Sequence, residues 1–331
     1  MELKNSNQIK AELVGYKVLD LLKSTDSKIM SQSVFEHAIY MHDGEDAFIR
    51  IIKDKDFIGP SSIVISGMDN LSFKSLDITE GTKLELLEDK ITSTEGSFSL
   101  HIADAPVWKQ PGLPEETEII SLEEINLNLR ILKDIIYTVP SKEGLVPLLE
   151  NVEKLGPLEV FAKEQKPTVS EKARPYIDAI MWGIFSGDLN TIKRSTEPIL
   201  GLGPGLTPSC DDFLAGLLMS LNMAGNIIFR SEPETVKFFT HVSNEISSLA
   251  KVITTLYSQS FISEAAMGEG PKPAIDLILS IITNRPQAVS DKSKELVSIG
   301  STSGADIAIG IYYGIRFLTS RIELRDLNEF E

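Results

Sequence analysis

The stretch GLGPGLTPSCDDFLAGLLMSLNMAG occupies residues 201–225 and joins a glycine-rich segment directly to a long apolar run. Gly201, Gly203 and Gly205 permit backbone conformations that are closed to other residues, which is typical of a tight loop. From Asp211 onward, apolar residues recur at three- and four-residue spacing, which indicates a helix. The stretch therefore predicts a loop that leads into a helix N-terminus, where backbone N–H groups and the helix dipole favour an anion.

Apolar periodicity divides the rest of the chain into a strand-like part and a helical part. Residues 8–23 have helical spacing and predict one short amphipathic helix. Between Val34 and Trp108, short runs such as AFIRII, SSIVIS, KLELL and SFSLHI are separated by turn residues, which indicates strands. Runs nearer the C-terminus, such as INLNLRILKDIIYTV and ADIAIGIYYGIRFL, keep helical spacing over ten or more positions.

We therefore predict an α+β protein with a boundary near residue 110. The segment KQPGLPEETE at 109–118 combines prolines, a glycine and acidic residues, the composition of an exposed linker. The predicted domains are an N-terminal helix at 1–30, a β-rich domain at 31–108, and a mainly α-helical domain at 119–331 that carries the glycine loop. The β-rich domain is expected to be a small barrel or a sandwich.

Charge and cysteine content exclude several classes of protein. The formal net charge is −16 and the sequence has no cluster of Lys and Arg, so we expect no nucleic-acid partner. Cys210 is the only cysteine, which excludes an intrachain disulfide and a thiolate metal cluster. The N-terminal residues lack the apolar core of a signal peptide, and no stretch of about 18 residues is apolar enough to span a membrane. We expect a cytoplasmic protein with no membrane partner.

The glycine loop does not have the spacing of a P-loop, and no clear strand precedes it as a dinucleotide fingerprint would require. One interpretation of the loop is structural: Thr207 or Ser209 caps the helix, and Ser209 with Asp212 forms a capping box. Capping does not explain three glycines or a second aspartate. Asp211 and Asp212 beside an anion would repel it unless magnesium bridges them, one is protonated, or one accepts a substrate N–H group.

A second segment, GSTSGADIAIGIYYG at 300–314, repeats this design. Its Ser303, Asp306 and Gly310 lie 94 positions after Ser209, Asp212 and Gly216. A glycine inside an apolar helix costs roughly 1 kcal/mol relative to alanine unless close packing requires it. We therefore expect the two helices to touch and the two loops to converge. The structural alternative is a tightly packed helix pair without a site.

A third segment, TTLYSQSFISEAAMGEG at 254–270, has the hydroxyl residues Thr254, Thr255, Ser258 and Ser260 on a predicted buried helix. These hydroxyls either bond carbonyls within the helix or line a polar pocket. The four histidines have no zinc-binding spacing. No histidine lies near Cys210 in the sequence to act as its base, which argues against a nucleophilic cysteine.

The candidate site combines these segments. Three residues are predicted to be catalytic: Asp211, Asp212 and Asp306. Eight residues are predicted to bind substrate or an anion: Gly203, Gly205, Thr207, Ser209, Thr255, Ser301, Thr302 and Ser303. The sequence assigns no metal ligands and no definite cofactor, and magnesium is the candidate metal.

The two loop segments, GLGPGLTPSCDDFLAGLL and SIGSTSGADIAIG, resemble the signature segments of AllH-type proteins, and TTLYSQSFISEAAMGE between them is also similar. The resemblance covers about residues 200–310 and extends faintly to the Gly59-Pro60-Ser61-Ser62 turn. It implies a subunit of oxamate carbamoyltransferase, which converts oxalurate and phosphate to oxamate and carbamoyl phosphate in allantoin and purine-nitrogen catabolism. Larger carbamoyltransferase subunits and a small anionic substrate are then the expected partners.

The sequence departs from the family at two motif positions and leaves three functional hypotheses open. Cys210 stands where glycine is usual, and Ser301 stands where histidine is frequent, so a related substrate is one consequence. The first hypothesis is an enzyme subunit that contributes a small-anion site for carbamoyl transfer. The second is a noncatalytic assembly or regulatory subunit whose glycine loops serve helix packing. The third is a stand-alone enzyme that acts on another acyl or phosphoryl compound.

Overall fold

The computed structural model describes residues 9–23, 28–44, 48–65, 72–112, 117–140, 143–149 and 167–328. The chain divides into two compact units. Unit 1 comprises Met1–Gly112 with Gly270–Lys272, and unit 2 comprises Leu113–Glu269 with Pro273–Glu331. Residues 113–116 of the predicted linker lie outside the described residues.

Unit 1 is a closed β-barrel, so the predicted β-rich N-terminal domain and the α+β class are confirmed. Its strands are β1 Ile9–Gly15, β2 Lys28–Val34, β3 Ala38–His42, β4 Phe48–Ile52, β5 Ser62–Ile65, β6 Lys83–Leu87, β7 Lys90–Ser93, β8 Ser99–His101 and β9 Val107–Trp108. The order is β5-β4-β3-β2-β6-β7-β8-β1-β9, and an additional pairing of β1 with β5 closes the first eight strands into a ring. Closure removes the exposed strand edges.

The barrel interior follows from alternation along the strands. Ile39 and Met41 of β3 and Ile91 of β7 are fully buried, and residues beside them in sequence are more exposed. Successive side chains of a strand point to opposite faces, so this pattern places one apolar face inside the ring. The runs predicted as strands correspond to β4, β5, β6 and β8.

The predicted helix over residues 8–23 is wrong in its first half. Ile9–Gly15 forms β1, and only Tyr16–Lys23 is helical, as α1. β1 pairs with β5 on one side and with β8 and β9 on the other. The alternation Ile9, Lys10, Ala11, Glu12, Leu13 fits a strand as well as the apolar spacing fits a helix, and pairing on both sides decides between them.

The regular secondary structure among the described residues of unit 2 is α-helical, apart from a short 3₁₀ turn at Val146–Leu149. The helices are α2 Leu122–Tyr137, α3 Val169–Ser186, α4 Leu189–Thr196, α5 Ser209–Ile228, α6 Pro233–Ile253, α7 Leu256–Ala265, α8 Lys272–Thr283, α9 Pro286–Val297 and α10 Ser303–Asn328. Local signals set several starts: Ser121 with Glu124 and Thr168 with Glu171 form capping boxes. No helix among the described residues is long and apolar enough to cross a membrane.

Helix α5 lies at the centre of unit 2. Every residue from Ser209 to Gly225 is buried, so the helix is covered on all sides. Phe213, Leu214 and Leu217 belong to one continuous core with apolar residues of α10 and of the other helices. The first turn of α5 and the glycine loop before it are therefore positioned by a rigid element.

Candidate functional site

Helices α5 and α10 cross with their backbones in direct contact. A Cβ atom added at Gly216 would lie 2.2 Å from the Ile307 carbonyl oxygen, and one added at Gly310 would lie 2.1 Å from the Phe213 carbonyl oxygen. The two contacts correspond to each other, because Phe213 and Gly216 each lie 94 positions before Ile307 and Gly310. The sequence repeat is thus matched by a local pseudo-two-fold arrangement of the two helices, and both glycines are required by close approach.

The packing places the two helix N-termini side by side. The Thr207 and Ser303 hydroxyl oxygens, which belong to the two predicted loops, lie 3.3 Å apart. Gly201, Gly203 and Gly205 have φ of 76°, 133° and 95°, so this loop uses the conformations that favour glycine. The structure therefore brings the predicted loops together, with two helix dipoles directed at one place.

The capping interpretation of the glycine loop is wrong. Pro208 occupies the N-cap position of α5 and makes no side-chain cap hydrogen bond, and Ser209 is already the first helical residue. The Asp212 carboxylate instead accepts a hydrogen bond from the Thr207 hydroxyl at 3.1 Å. Main-chain carbonyls satisfy the start of the helix instead: the Cys210 N–H group donates to the Leu202 carbonyl at 3.1 Å, and the Asp211 N–H group donates to the Pro208 carbonyl at 2.9 Å.

Asp211 ties the loop to the rest of unit 2. Its carboxylate accepts a hydrogen bond from the Gly201 N–H group at 2.9 Å and another from the Thr254 hydroxyl. Burial raises the pKa of this carboxyl, and the bonds from Thr254 and Gly201 oppose the rise. A carboxylate engaged at both oxygens positions the loop and has little capacity left for a ligand.

Thr254 and Thr255 lie at the junction of two helices, whereas the sequence pattern predicts a buried helix there. Thr254 ends α6, and Thr255 is the N-cap of α7, where its hydroxyl accepts from the Ser258 N–H group at 3.2 Å. The Thr255 hydroxyl also donates to the Leu206 carbonyl at 2.8 Å. Both threonines therefore hold the glycine loop in place through contacts outside their own helices.

Asp212 and Asp306 are both buried carboxyls, one on each of the crossing helices. Burial raises the pKa of Asp212 well above its usual range, the Ser303 hydroxyl opposes this rise, and the charge of Asp306 adds to it. Burial likewise raises the pKa of Asp306 to about 6, against the opposing hydrogen bond from the Leu145 amide. The pair therefore holds protons more tightly than exposed carboxyls do.

The backbone at 144–145 packs directly on Asp306. The Leu145 N–H group donates to Asp306 Oδ1 at 2.7 Å, and a Cβ atom added at Gly144 would lie 2.5 Å from that oxygen. The Ser209 and Thr302 hydroxyls also face the Asp306 carboxyl, and their hydrogen bonds, like that of the Leu145 amide, oppose the rise of its pKa.

The candidate residues form two groups: residues that are exposed or partly exposed, called the reachable layer, and residues that are buried. Gly205 and Ser301 are exposed, whereas Gly203, Thr207, Thr255 and Ser303 are partly exposed. The buried members are Ser209, Asp211, Asp212, Thr302 and Asp306. A ligand at the loop would therefore meet backbone N–H groups and hydroxyls first, with the carboxyls behind them.

Charged and metal-binding groups are sparse around the loops. Within the described ranges, no group of three or more His, Cys, Asp and Glu side chains is arranged to hold a metal ion. Burial, followed by the charges of Asp211 and Asp306, raises the pKa of the Cys210 thiol, which makes it a poor nucleophile. Two basic residues of unit 2 pair with glutamates: Lys193 lies 3.9 Å from Glu245, and Arg316 lies 3.2 Å from Glu323.

Sequence reasoning missed three participants in this region. Gly144 and Leu145 contact Asp306 from a segment that is distant in the chain, and no local motif marks them. The sequence predicts Thr254 only as a hydroxyl of a buried helix, although it bonds Asp211. The one available signal was the pair of adjacent threonines at a helix junction, because hydroxyl residues favour such positions.

One known protein family matches this part of the chain. Residues 199–315 match the family model described as oxamate carbamoyltransferase subunit AllH, which confirms the AllH-like resemblance of this segment. The matched range contains both glycine loops, α5 and the first half of α10. No solved structure matches the chain.

Proposed function

We propose that this chain is a subunit of a carbamoyltransferase similar to oxamate carbamoyltransferase, and that its paired loops contribute a small-anion site. The observation that carries the proposal is the overlap of the AllH match with the place where the N-termini of α5 and α10 meet. The substrates of that reaction, oxalurate, phosphate, oxamate and carbamoyl phosphate, are small anions. A site made of helix N-termini suits such ligands.

The reachable layer supplies the chemistry that such a ligand requires. The N–H groups of Gly203 and Gly205 and the hydroxyls of Thr207 and Ser303 are donors, which would bind phosphate or carboxylate oxygens. Two helix dipoles add a favourable potential. Burial raises the pKa of Asp212 well above its usual range, which favours the neutral form of this carboxyl and would reduce the repulsion of an anion.

The proposal includes a cellular setting. We infer a place in allantoin and purine-nitrogen catabolism in the cytoplasm, with larger carbamoyltransferase subunits as partners. Magnesium remains part of the proposal as an ion that a bound phosphate would bring with it, since the ion commonly uses substrate phosphate oxygens and water as ligands. Because Cys210 and Ser301 depart from the residues usual in the family, a close analogue of oxalurate is the second substrate to test.

The test is thermal unfolding of the purified chain with phosphate, carbamoyl phosphate, oxamate and oxalurate, each with and without magnesium. A ligand that binds only the folded state at about 100 times its Kd stabilises it by roughly 2.7 kcal/mol, so the Tm should rise by several degrees. The rise should be lost in Thr207→Val and Ser303→Ala. Ser220→Ala, a buried hydroxyl further along α5, is the matched control and should keep the rise.

A noncatalytic assembly subunit is the second candidate function. It is favoured by Gly216 and Gly310, which serve the contact between α5 and α10 and are explained without any ligand. This function predicts that no anion shifts the Tm of the chain, and that Thr207→Val and Ser303→Ala leave transfer by the reconstituted complex unchanged. Omission of the chain would still abolish assembly.

A further inference from the structure

We propose that another subunit of the complex docks on a face of unit 2 formed by Trp182, Phe185 and Arg321, which we call the aromatic face. The docking segment carries an acidic side chain beside a large apolar one. The inference rests on the proposed function for the existence of that subunit. It goes beyond the proposed function because it locates an interface on residues that take no part in the candidate site.

The first support is a pair of exposed aromatic rings on α3. Trp182 is 64% exposed and Phe185 is 46% exposed, whereas Gly183 and Ile184 between them are buried. The centroids of the two rings lie 5.7 Å apart, so the rings form one continuous apolar surface. Aromatic residues are enriched in protein interfaces, and tryptophan is prominent among the residues that contribute most to binding. An exposed pair of this kind is therefore typical of a surface that a partner covers.

The second support is an open cavity beside these rings. The cavity has a volume of about 320 Å³, and its apolar wall includes Ile184, Phe185 and Phe238. Thr235 and Arg321 contribute polar groups to the lining. This volume corresponds to roughly ten water molecules at liquid density, which is enough room for a large side chain. Phe185 belongs to both the cavity and the ring pair, so the two features form one surface.

The third support is the hydrogen bonding of Arg321. Its Nη2 atom donates to the Thr235 hydroxyl oxygen at 3.3 Å. The neighbouring carboxylate of Glu232 is already engaged, because one oxygen accepts from the Thr235 hydroxyl at 3.0 Å and the other lies 3.2 Å from Arg325. Within the part of the chain that the structure describes, no acidic side chain forms an ion pair with Arg321. A guanidinium has five N–H donors and favours a bidentate carboxylate, so the aromatic face suits an acidic side chain.

Glu234 also borders the cavity and limits which ligand fits there. Its side chain is exposed, and it forms no ion pair with Arg321 among the described residues. The charge of Glu234 disfavours a ligand that is anionic on every side, such as phosphate. A protein segment avoids this repulsion because it presents one carboxylate to Arg321 and a neutral or basic group to Glu234.

The aromatic face is larger than the area that a small molecule in the cavity would cover. Trp182 is not part of the cavity lining and stacks on Phe185, so a ligand confined to the cavity would leave the indole ring exposed. A docking protein covers the ring pair and fills the cavity together. The matching family is described as a subunit of oxamate carbamoyltransferase, and a subunit has other subunits to bind. We therefore assign the aromatic face to one of them.

The test is the Kd for association of this chain with the other purified subunits, measured by isothermal titration calorimetry. Trp182→Ala should raise the Kd by about thirtyfold or more, the usual loss at the centre of an interface. Arg321→Gln should raise the Kd by about tenfold or more and weaken its dependence on salt concentration. Met267→Ala shortens another apolar side chain of unit 2, one that is 60% exposed, and is the matched control with an unchanged Kd.

Fluorine NMR of the chain labelled with fluorotryptophan gives a second readout. The Trp182 resonance, assigned by its loss in Trp182→Phe, should shift when the other subunits are added. All three variants should keep the rise in Tm with phosphate, because none of them changes the candidate site. An unchanged Kd in Trp182→Ala or Arg321→Gln, or an unshifted resonance in the assembled complex, would overturn the docking surface and leave the proposed function standing. A natural chain that does not bind those subunits would overturn both.

Discussion

Three buried aspartates in unit 2 have different partners and therefore different roles. Asp211 is bonded to the Gly201 amide and the Thr254 hydroxyl, which fixes the start of the glycine loop. The Asp212 carboxylate accepts a hydrogen bond from the Thr207 hydroxyl, and the Asp306 carboxylate accepts one from the Leu145 amide. Asp211 and Asp212 are adjacent in one turn of α5, yet the Asp211 carboxylate is structural and the Asp212 carboxylate contacts the Thr207 hydroxyl.

The raised pKa of Asp306 predicts a pH dependence of stability. Its folded-state pKa is about 6 against an ordinary value of 3.8, so the folded state binds a proton more tightly than the unfolded state does. This stabilisation is fully present below pH 3.8 and is lost as the pH rises through about 6. The difference between the two pKa values corresponds to a free energy of roughly 3 kcal/mol.

Asp306→Asn replaces the titrating carboxyl with an amide, whose oxygen still accepts a hydrogen bond from the Leu145 N–H group. Chemical unfolding between pH 4 and pH 7 should therefore show a smaller decline in the free energy of unfolding for the variant than for the natural chain. Asp188→Asn, at the exposed cap of α4, is the control and should keep the full decline. Parallel curves for all three proteins would contradict the prediction.

The glycine loop and the crossing of α5 with α10 are governed by backbone geometry. Gly203 combines a φ of 133° with a close approach, because an added Cβ atom would lie 2.4 Å from the Ser209 nitrogen. Gly205 has a φ of 95° and open space around most of the added atom. The two positions therefore separate the cost of an unfavourable φ from the cost of a steric clash.

We expect Gly205→Ala to lower the free energy of unfolding by about 1–2 kcal/mol, the cost of a Cβ atom in the left-handed region. Gly203→Ala should cost more, because the methyl group also displaces the first turn of α5. Calorimetry should show the larger Tm loss for Gly203→Ala together with weaker binding of phosphate. Equal losses would show that the contact with Ser209 relaxes freely.

The helix crossing predicts a second ranking of glycine substitutions. Gly216→Ala and Gly310→Ala drive a methyl group into a backbone carbonyl and should each cost about 3 kcal/mol, at the upper end of ordinary overpacking. Gly225→Ala, in the same helix as Gly216, meets the ring of Phe239 at 2.8 Å and no backbone atom at 2.1–2.2 Å, so it should cost less. Denaturant unfolding of the three variants tests this order.

At the scale of the whole molecule, each unit has its own apolar core. The barrel core includes Ile39, Ile51 and Leu84, and the helical core is built around α5. All eleven residues of the candidate site lie in unit 2. The candidate site is therefore carried by the unit whose core is built around α5, and the barrel core is a second set of apolar residues.

This separation predicts that a cavity in the barrel leaves the candidate site intact. Ile51→Ala removes a fully buried side chain and should lower the stability of unit 1 by about 2–5 kcal/mol. The Tm rise that phosphate produces in the unfolding of unit 2 should be unchanged. Val107→Ala, an exposed position of the same unit, is the control and should have little effect. A loss of the phosphate effect in Ile51→Ala alone would contradict the separation.

Local pattern was sufficient for much of this protein. Helical spacing predicted the run from Asp211 through α5, and glycine content predicted the loop at 201–205 with its positive φ values. Short alternating runs predicted a β-rich N-terminal domain. The repeat of the loop-and-helix motif 94 positions later predicted that the two loops converge. These features depend on the conformational limits of individual residues and on the periodicity of apolar residues, and both are determined by residues that are close together in the sequence.

Tertiary structure alone decided the features that depend on distant partners. Ile9–Gly15 is a strand because other strands pair with it on both sides, although its spacing also fits a helix. Asp211 and Asp212 are adjacent and chemically identical, yet one meets Gly201 and the other meets Thr207. The pKa of Asp306 depends on burial beneath Leu145, which lies 161 positions away in the chain. Burial and long-range hydrogen bonds set these properties, and neither is encoded in a local pattern.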